Sequence, residues 1–252
     1  MRKLLFAAAL AVMPMGALHA VPADVAAAVS APGRPEGAVA LDAGRHPVEV
    51  LRFMGLKQGD RALDLFTDAG YYGEIMARAV GPRGSVLGWN PREFTGNDTA
   101  QAQAAVHSRS PNFVAVITPA QAMALPANAF DFAMIHLNYH DTYLDFRSRS
   151  GVVFHMEPTQ FLATVFQSLK PGGTIAVIDH VANAGGDTRA VVRALHRIDP
   201  ATLRADFERA GFVFDGELPL LRNPEDDHTK GVFDPAIRGH TDRIVYRFRR
   251  PR

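Results

Sequence analysis

Arg61-Ala-Leu-Asp-Leu-Phe-Thr-Asp-Ala-Gly70 is the stretch on which the reading of this chain turns. Arg61 to Phe66 has the apolar run of a buried strand. From about Gly70 to Val80 the period changes to helical, with Tyr72, Ile75, Met76 and Ala79 on one face and Glu74 and Arg78 on the other. Gly81-Pro82 stops that helix. The same alternation extends outward in both directions. Upstream, Pro47 to Met54 has helical spacing and Gly55 to Asp60 is a turn. Downstream, strands are expected at 85–89, 113–117, 130–137 and 174–179, with helices over 157–169 and 201–210. Asp199-Pro200 supplies a cap and a first-turn proline for the last helix. Two more strands, around 212–221 and 243–248, have no helix between them. Strands alternating with helices imply a parallel sheet covered on both faces, and the final pair implies an antiparallel finish.

The start of the chain is read separately. Arg2 and Lys3 precede an apolar run from Leu4 to Leu18, and Leu18-His19-Ala20 ends on a small residue, the layout of a secretory signal peptide over 1–20. The run of about fifteen residues is shorter than the roughly 18 needed to cross a bilayer. The protein is therefore expected to be exported, to the periplasm or beyond, with no membrane attachment once the leader is removed. Residues 21–44, rich in Ala, Pro and Gly, read as a flexible arm with one short helix, and 45–252 as a single domain. The absence of cysteine excludes disulfides and thiolate metal sites. Removing Arg2 and Lys3 from 27 basic residues leaves 25 against 26 acidic ones, with no basic stripe. That balance argues against a nucleic-acid partner, and the expected partner is a small-molecule substrate.

Ala62-Leu-Asp-Leu-Phe-Thr-Asp-Ala-Gly70 resembles the first, glycine-rich motif of class I S-adenosylmethionine-dependent methyltransferases. Leu125-Pro-Ala-Asn-Ala-Phe-Asp131 resembles the approach to their fourth strand, Leu169-Lys-Pro-Gly-Gly173 the turn before their fifth, and Phe207-Glu-Arg-Ala-Gly-Phe212 the helix end before their sixth. Gly70-Tyr-Tyr-Gly-Glu74, Tyr139-His-Asp-Thr142, Asp179-His180, Leu195-His-Arg-Ile-Asp199 and Phe233-Asp-Pro-Ala-Ile-Arg-Gly239 are similar to a group of exported bacterial proteins predicted to be methyltransferases. The resemblance spans roughly 45–249. It implies a Rossmann-like methyltransferase fold, an α/β doubly wound, mostly parallel seven-stranded sheet with an antiparallel last strand. It also implies S-adenosylmethionine as cofactor.

Ligands of such sheets sit at the carboxyl ends of the strands, near the point where strand order reverses. Asp64, Phe66, Thr67, Asp68, Ala69, Gly70, Tyr72 and Glu74 belong to the first strand-to-helix turn and are the candidate cofactor contacts. Asn90 at the end of the second strand and Asn138 after the fourth join them. Asp68 and Glu74 near a helix start repel a pyrophosphate but suit a sulfonium and an ammonium. Only Gly70 remains of the family's two or three glycines, and Asn90 stands where an acidic residue usually takes the ribose hydroxyls.

Three His/Asp groups fall near the same edge: Tyr139-His140-Asp141, Asp179-His180, and His196 with Asp199. An imidazole can act as a general base for a methyl acceptor, and His140, oriented by Asp141 or Asp179, is the first choice. Tyr139, His180 and His196 complete the catalytic candidates. The same groups can ligate a metal, although no local spacing marks one. The long polar segment from Arg222 to Thr241 reads as a lid carrying Arg238 and His240, with Asp226 and Asp227 solvated, and no arginine clamp other than Arg238 is evident. Two further readings share the scaffold: a metal-assisted enzyme, and a ligand-binding protein without turnover.

Overall fold

The computed structural model describes residues 21–147 and 151–252; the leader read from residues 1–20 lies outside them. Seven strands form the main sheet: β1 (Arg61–Leu65), β2 (Ser85–Pro91), β3 (Phe113–Thr118), β4 (Phe130–His136), β7 (Leu169–His180), β8 (Val213–Glu217) and β9 (Arg243–Arg249). A two-stranded ribbon, β5 (Phe146–Arg147) and β6 (Val153–Phe154), stands apart. The main order is β3-β2-β1-β4-β7-β9-β8. Strands β1 to β4 and β7 pair parallel, and β9 runs antiparallel between β7 and β8, the antiparallel finish read from the sequence.

Period-two alternation divides the core. Leu63 and Leu65 face one apolar layer with Trp89, Phe161 and Phe207, while Ala62 faces a second with Ile75, Met76 and Met134. Burial on both faces is why these strands read as continuous apolar runs. The second layer is covered by α1 (Val25–Ser30), α4 (Pro47–Met54) and α5 (Tyr71–Val80). The first is covered by α7 (Pro158–Ser168), α8 (Thr188–Leu195) and α9 (Pro200–Arg209).

The segment 21–44 departs from the expected flexible arm. It forms α1, α2 (Glu36–Val39) and α3 (Asp42–Arg45), and is folded onto the domain. Val25 and Ala28, three residues apart, bury one stripe of α1 against α4 and α5. Asp24 caps α1 by accepting the Ala27 amide. Arg34 holds Asp42 through two hydrogen bonds at 2.7 and 2.8 Å. Sequence periodicity also missed α6 (Asn97–Arg109) and α8. In α6 only Gln103 and Val106 are buried, and in α8 only Val192, so little of either helix packs into the core.

Gly73 lets α5 lie close to the sheet. A Cβ there would stand 2.5 Å from the Phe113 ring and 3.0 Å from Asp64 Oδ2. Phe113 is fully buried and has no room to yield. Gly73→Ala is therefore expected to destabilise the fold by about 1–3 kcal/mol, lowering Tm by several degrees in a thermal melt; an unchanged Tm would show that the approach is not tight.

Candidate functional site

β1 and β4 are neighbours whose following helices, α5 and α7, pack on opposite faces of the sheet. That divergence opens a crevice at their carboxyl ends. The turn into it keeps a left-handed backbone at alternate residues: φ is 55° at Phe66, 46° at Asp68 and 84° at Gly70. Such φ values suit glycine and are uncommon for other residues, bulky ones above all. Neighbouring polar groups hold the turn instead. The Asp64 carboxylate accepts the Thr67 hydroxyl at 2.6 Å, the Asp68 amide donates to Asn90 Oδ1 at 3.1 Å, and Gln103 Nε2 donates to the Asp68 carbonyl at 2.8 Å. The Phe66 ring packs edge-on against Trp89, centroids 5.3 Å apart.

A cavity of about 490 Å³ lies over this turn, within the size range of small-molecule sites. Asp64, Phe66, Thr67, Asp68, Ala69, Gly70, Tyr72, Glu74 and Asn138 all border it, as the sequence placed them. Asn90 does not. It is buried, with Oδ1 taken by the Asp68 amide and Nδ2 donated to Thr95 Oγ1 at 2.7 Å, so it shapes the turn rather than meeting a ribose. Glu74 borders the cavity without a free charge, because Arg78 at 2.6 Å and Arg109 at 2.7 Å neutralise it.

The folded arm supplies what the sequence reading lacked. Arg34, Leu41 and Arg45 form a wall of the cavity, and Arg109 borders it as well, correcting the expectation that Arg238 is the one arginine at the site. Arg34 and Arg109 are ion-paired with Asp42 and Glu74. Arg45 has no carboxylate partner among the described residues; its guanidinium lies 4.3 Å from the Tyr71 ring centroid. His136, the last residue of β4, also lines the cavity and packs on Tyr72, centroids 4.9 Å apart. Burial, with Arg45 and Arg243 beside it, holds its pKa well below the ordinary histidine value, so it is neutral. Its Nε2 is buried without a hydrogen-bond partner. The signal for His136 was its place at a strand's carboxyl end, the rule that selected its neighbours.

His140, Asp141, His180 and His196 do converge, but behind the cavity rather than in it. His140 Nδ1 meets Asp179 Oδ1 at 2.6 Å and its amide donates to Asp179 Oδ2 at 2.8 Å. Asp141 Oδ1 is 3.4 Å from His140 Nε2 and 3.5 Å from His196 Nδ1. Asn138 links the two regions, since it borders the cavity and donates to Asp141 Oδ2 at 2.8 Å. Burial alone would lower the His140 pKa, but the Asp179 and Asp141 carboxylates raise it to about 9. It does not border the cavity, so it is not placed to take a proton from an acceptor bound there, which corrects its assignment as general base. His180 contacts Thr241 Oγ1 at 2.7 Å and is kept neutral, chiefly by burial.

Tyr139 is removed from the catalytic set. It is fully buried, its ring lies tilted against Phe207, and it donates to Asp206 Oδ2 at 2.8 Å, tying the segment after β4 to α9. The 222–241 segment is no lid on this cavity: Arg238 and His240 are exposed and do not border it. Asp226 is buried against Arg197 at 2.9 Å rather than solvated, and Asp227 is exposed as expected.

No family model matches the chain, and no curated protein matches it in sequence. Its fold is shared with solved structures. A SAM-dependent methyltransferase from Aquifex aeolicus aligns with TM-score 0.57 at 19% identity, covering 81% of this chain and 89% of that one. One from Mesorhizobium loti aligns with TM-score 0.55 at 16% identity, covering 83% and 100%. The cyclase SpnF aligns with TM-score 0.60 at 18% identity, covering 93% and 88%. The chain thus has the Rossmann-like fold of class I methyltransferases, with a seven-stranded mixed sheet.

Burial pushes the Asp64 carboxyl up to about 7, against the hydrogen bonds from Thr67 and the Gly73 amide. The folded state then holds a proton up to about pH 7 that the unfolded chain releases near the ordinary carboxylate value. This group's contribution to stability is therefore full below pH 4 and declines as pH rises towards 7. Asp64→Asn removes the decline: its stability relative to the parent is expected to improve from pH 5 to pH 8 in parallel urea titrations. A pH-independent offset between the two would overturn the assignment.

Proposed function

We propose that the chain binds S-adenosylmethionine and transfers its methyl group to a small-molecule or exported acceptor. The observation that carries this reading is the charge pattern around one cavity at the sheet's switch point. Asp64 and Asp68 border it with no cation bound to either carboxylate among the described residues, and Arg45 borders it without a carboxylate. A ligand with an ammonium, a sulfonium and a carboxylate matches that pattern, whereas a pyrophosphate does not. The structural likeness to methyltransferases supports the choice.

When bound, S-adenosylmethionine supplies an electrophilic methyl group on a sulfonium. The chain's residues hold and shield it. Asp64 receives the ammonium, and a cation there favours its ionised form. Arg45 receives the carboxylate, with charge-assisted hydrogen bonds in a partly dry site. Leu41, Tyr72 and Val106 exclude water. Neutral His136 adds no positive charge beside the sulfonium. A second reading, ligand binding without transfer, is favoured by Phe66 and Asp68, whose side chains stand at positions that suit glycine. The cyclase with the same fold makes the point that the fold alone does not set the reaction.

Export remains part of the proposal. The expected product of leader removal begins at Val21, whose carbonyl accepts the Gln58 amide at 2.9 Å. N-terminal sequencing of protein recovered outside the cytoplasm should read from Val21; intact Met1 on a cytoplasmic product would overturn export.

S-adenosylmethionine or its demethylated product at about a hundred times its Kd should stabilise the protein by roughly 2.7 kcal/mol. Arg45→Ala, which removes a charged hydrogen-bond partner worth about 1.5–3 kcal/mol, should weaken that binding about 10- to 100-fold by calorimetry. No thermal shift with either compound would sink the methyl-donor reading.

A further inference from the structure

Apart from the cavity, the described residues hold one set of His and Asp groups arranged as metal ligands: His140, Asp141 and His196, whose ligand atoms lie within 4.8 Å of one another. We propose that these three bind a divalent transition-metal ion of the zinc class, through His140 Nε2, Asp141 Oδ1 and His196 Nδ1. Zinc lies about 2.0–2.1 Å from imidazole nitrogen and about 2.0–2.2 Å from carboxylate oxygen, so tetrahedral ligand atoms stand about 3.4 Å apart. The two edges meeting at Asp141 Oδ1 measure 3.4 and 3.5 Å. These separations exceed ordinary N–H···O hydrogen bonds, at about 2.7–3.2 Å, and match the edges of a coordination tetrahedron.

Each buried ligand is oriented from behind by a second group. Asp179 engages His140 Nδ1 at 2.6 Å and turns Nε2 towards the site, the carboxylate–histidine–metal arrangement. Asn138 donates to Asp141 Oδ2 at 2.8 Å and leaves Oδ1 facing the imidazoles. His196, the residue after α8, is held at a left-handed φ of 53° with its ring against Phe233. The two buried carboxylates, Asp141 and Asp179, balance a dication. Access runs past His196, whose side chain is 27% exposed while that of His140 is 3% exposed. Three protein ligands leave a coordination position open.

The nearest rival explains itself without an ion. His155 meets Asp145 at 2.6 Å and Glu157 at 2.9 Å, ordinary contact distances on an exposed surface, and Arg189 already pairs with both carboxylates. His228 is likewise saturated by Asn183 and Asp242, each at 3.0 Å.

The proposal is independent of the methyl donor, so failure of either reading leaves the other standing. Its test is zinc titration of the chelator-treated full-length protein, with zinc content measured after gel filtration and cobalt(II) used as an optical probe. One equivalent of zinc and the visible bands of tetrahedral cobalt are expected. His196→Ala, at the rim and checked for native circular dichroism, should lose both. Asp179→Asn, altering a positioning residue, should weaken zinc about 10- to 100-fold, and His155→Ala should change nothing. Absence of stoichiometric zinc in the parent overturns the site, as does zinc that survives His196→Ala or disappears with His155→Ala.

Discussion

The turn from β1 into α5 is the constraint on which the rest of the site depends. The chain must reverse from strand to helix within five residues, placing three of them at positive φ. Glycine would meet that need by lacking a Cβ. Here Phe66 and Asp68 adopt it because the surroundings leave them little alternative: the Phe66 ring is fixed in the core, and the Asp68 peptide is bonded on both sides, to Asn90 and Gln103. Glycine is still required, but at other positions. Gly73 admits α5 beside Phe113, and a Cβ on Gly88 would stand 2.9 Å from both Phe113 and Thr67. The conformational demand has thus moved from the turn into its supports.

This explains which parts of the molecule were legible in the sequence. The central strands of the main sheet and α5 were, because burial on two faces leaves unbroken apolar runs and a strong 3.6 period, whereas the short ribbon of β5 and β6 was not. The cavity's floor was, because a ligand edge follows from strand direction alone. The arm, α6 and α8 were not. α6 and α8 contribute only one or two buried side chains each and the arm four, so their placement rests on a few tertiary contacts such as Val25 and Val106. Tyr139 and Asn90 were misread for a different reason. Both are polar residues at the correct edge, yet Asp206 in one case and the Asp68 amide in the other lie far off in sequence and claim their polar atoms.

The arm changes the chemistry of the site as well as its shape. A floor made only by the β1 turn would be acidic, with Asp64, Asp68 and Glu74. Folding 21–45 over it brings in Arg34 and Arg45, while α6 brings Arg109 onto Glu74. Three cations and their pairings turn an acidic rim into a zwitterionic one, in which the unpaired members are Arg45 and the turn carboxylates. Tyr71 joins the two halves, since its hydroxyl donates to Asp42 at 2.7 Å and its ring underlies Arg45.

Behind this cavity, Asn138 is the hinge between two separately built polar centres. Its neighbour Leu137 sits at a φ of 61° immediately after β4, so the chain leaves the sheet in a strained backbone step. Strain of this kind persists only where the surroundings over-determine it. The over-determination comes from the cluster: Asp179, at the end of β7, binds both the amide and the ring of His140, and Asn138 is tied to Asp141. Asn138 therefore touches both centres, bordering the cavity on one side and holding Asp141 on the other, and the backbone bond from the Asp141 amide to the Asn138 carbonyl fixes it there.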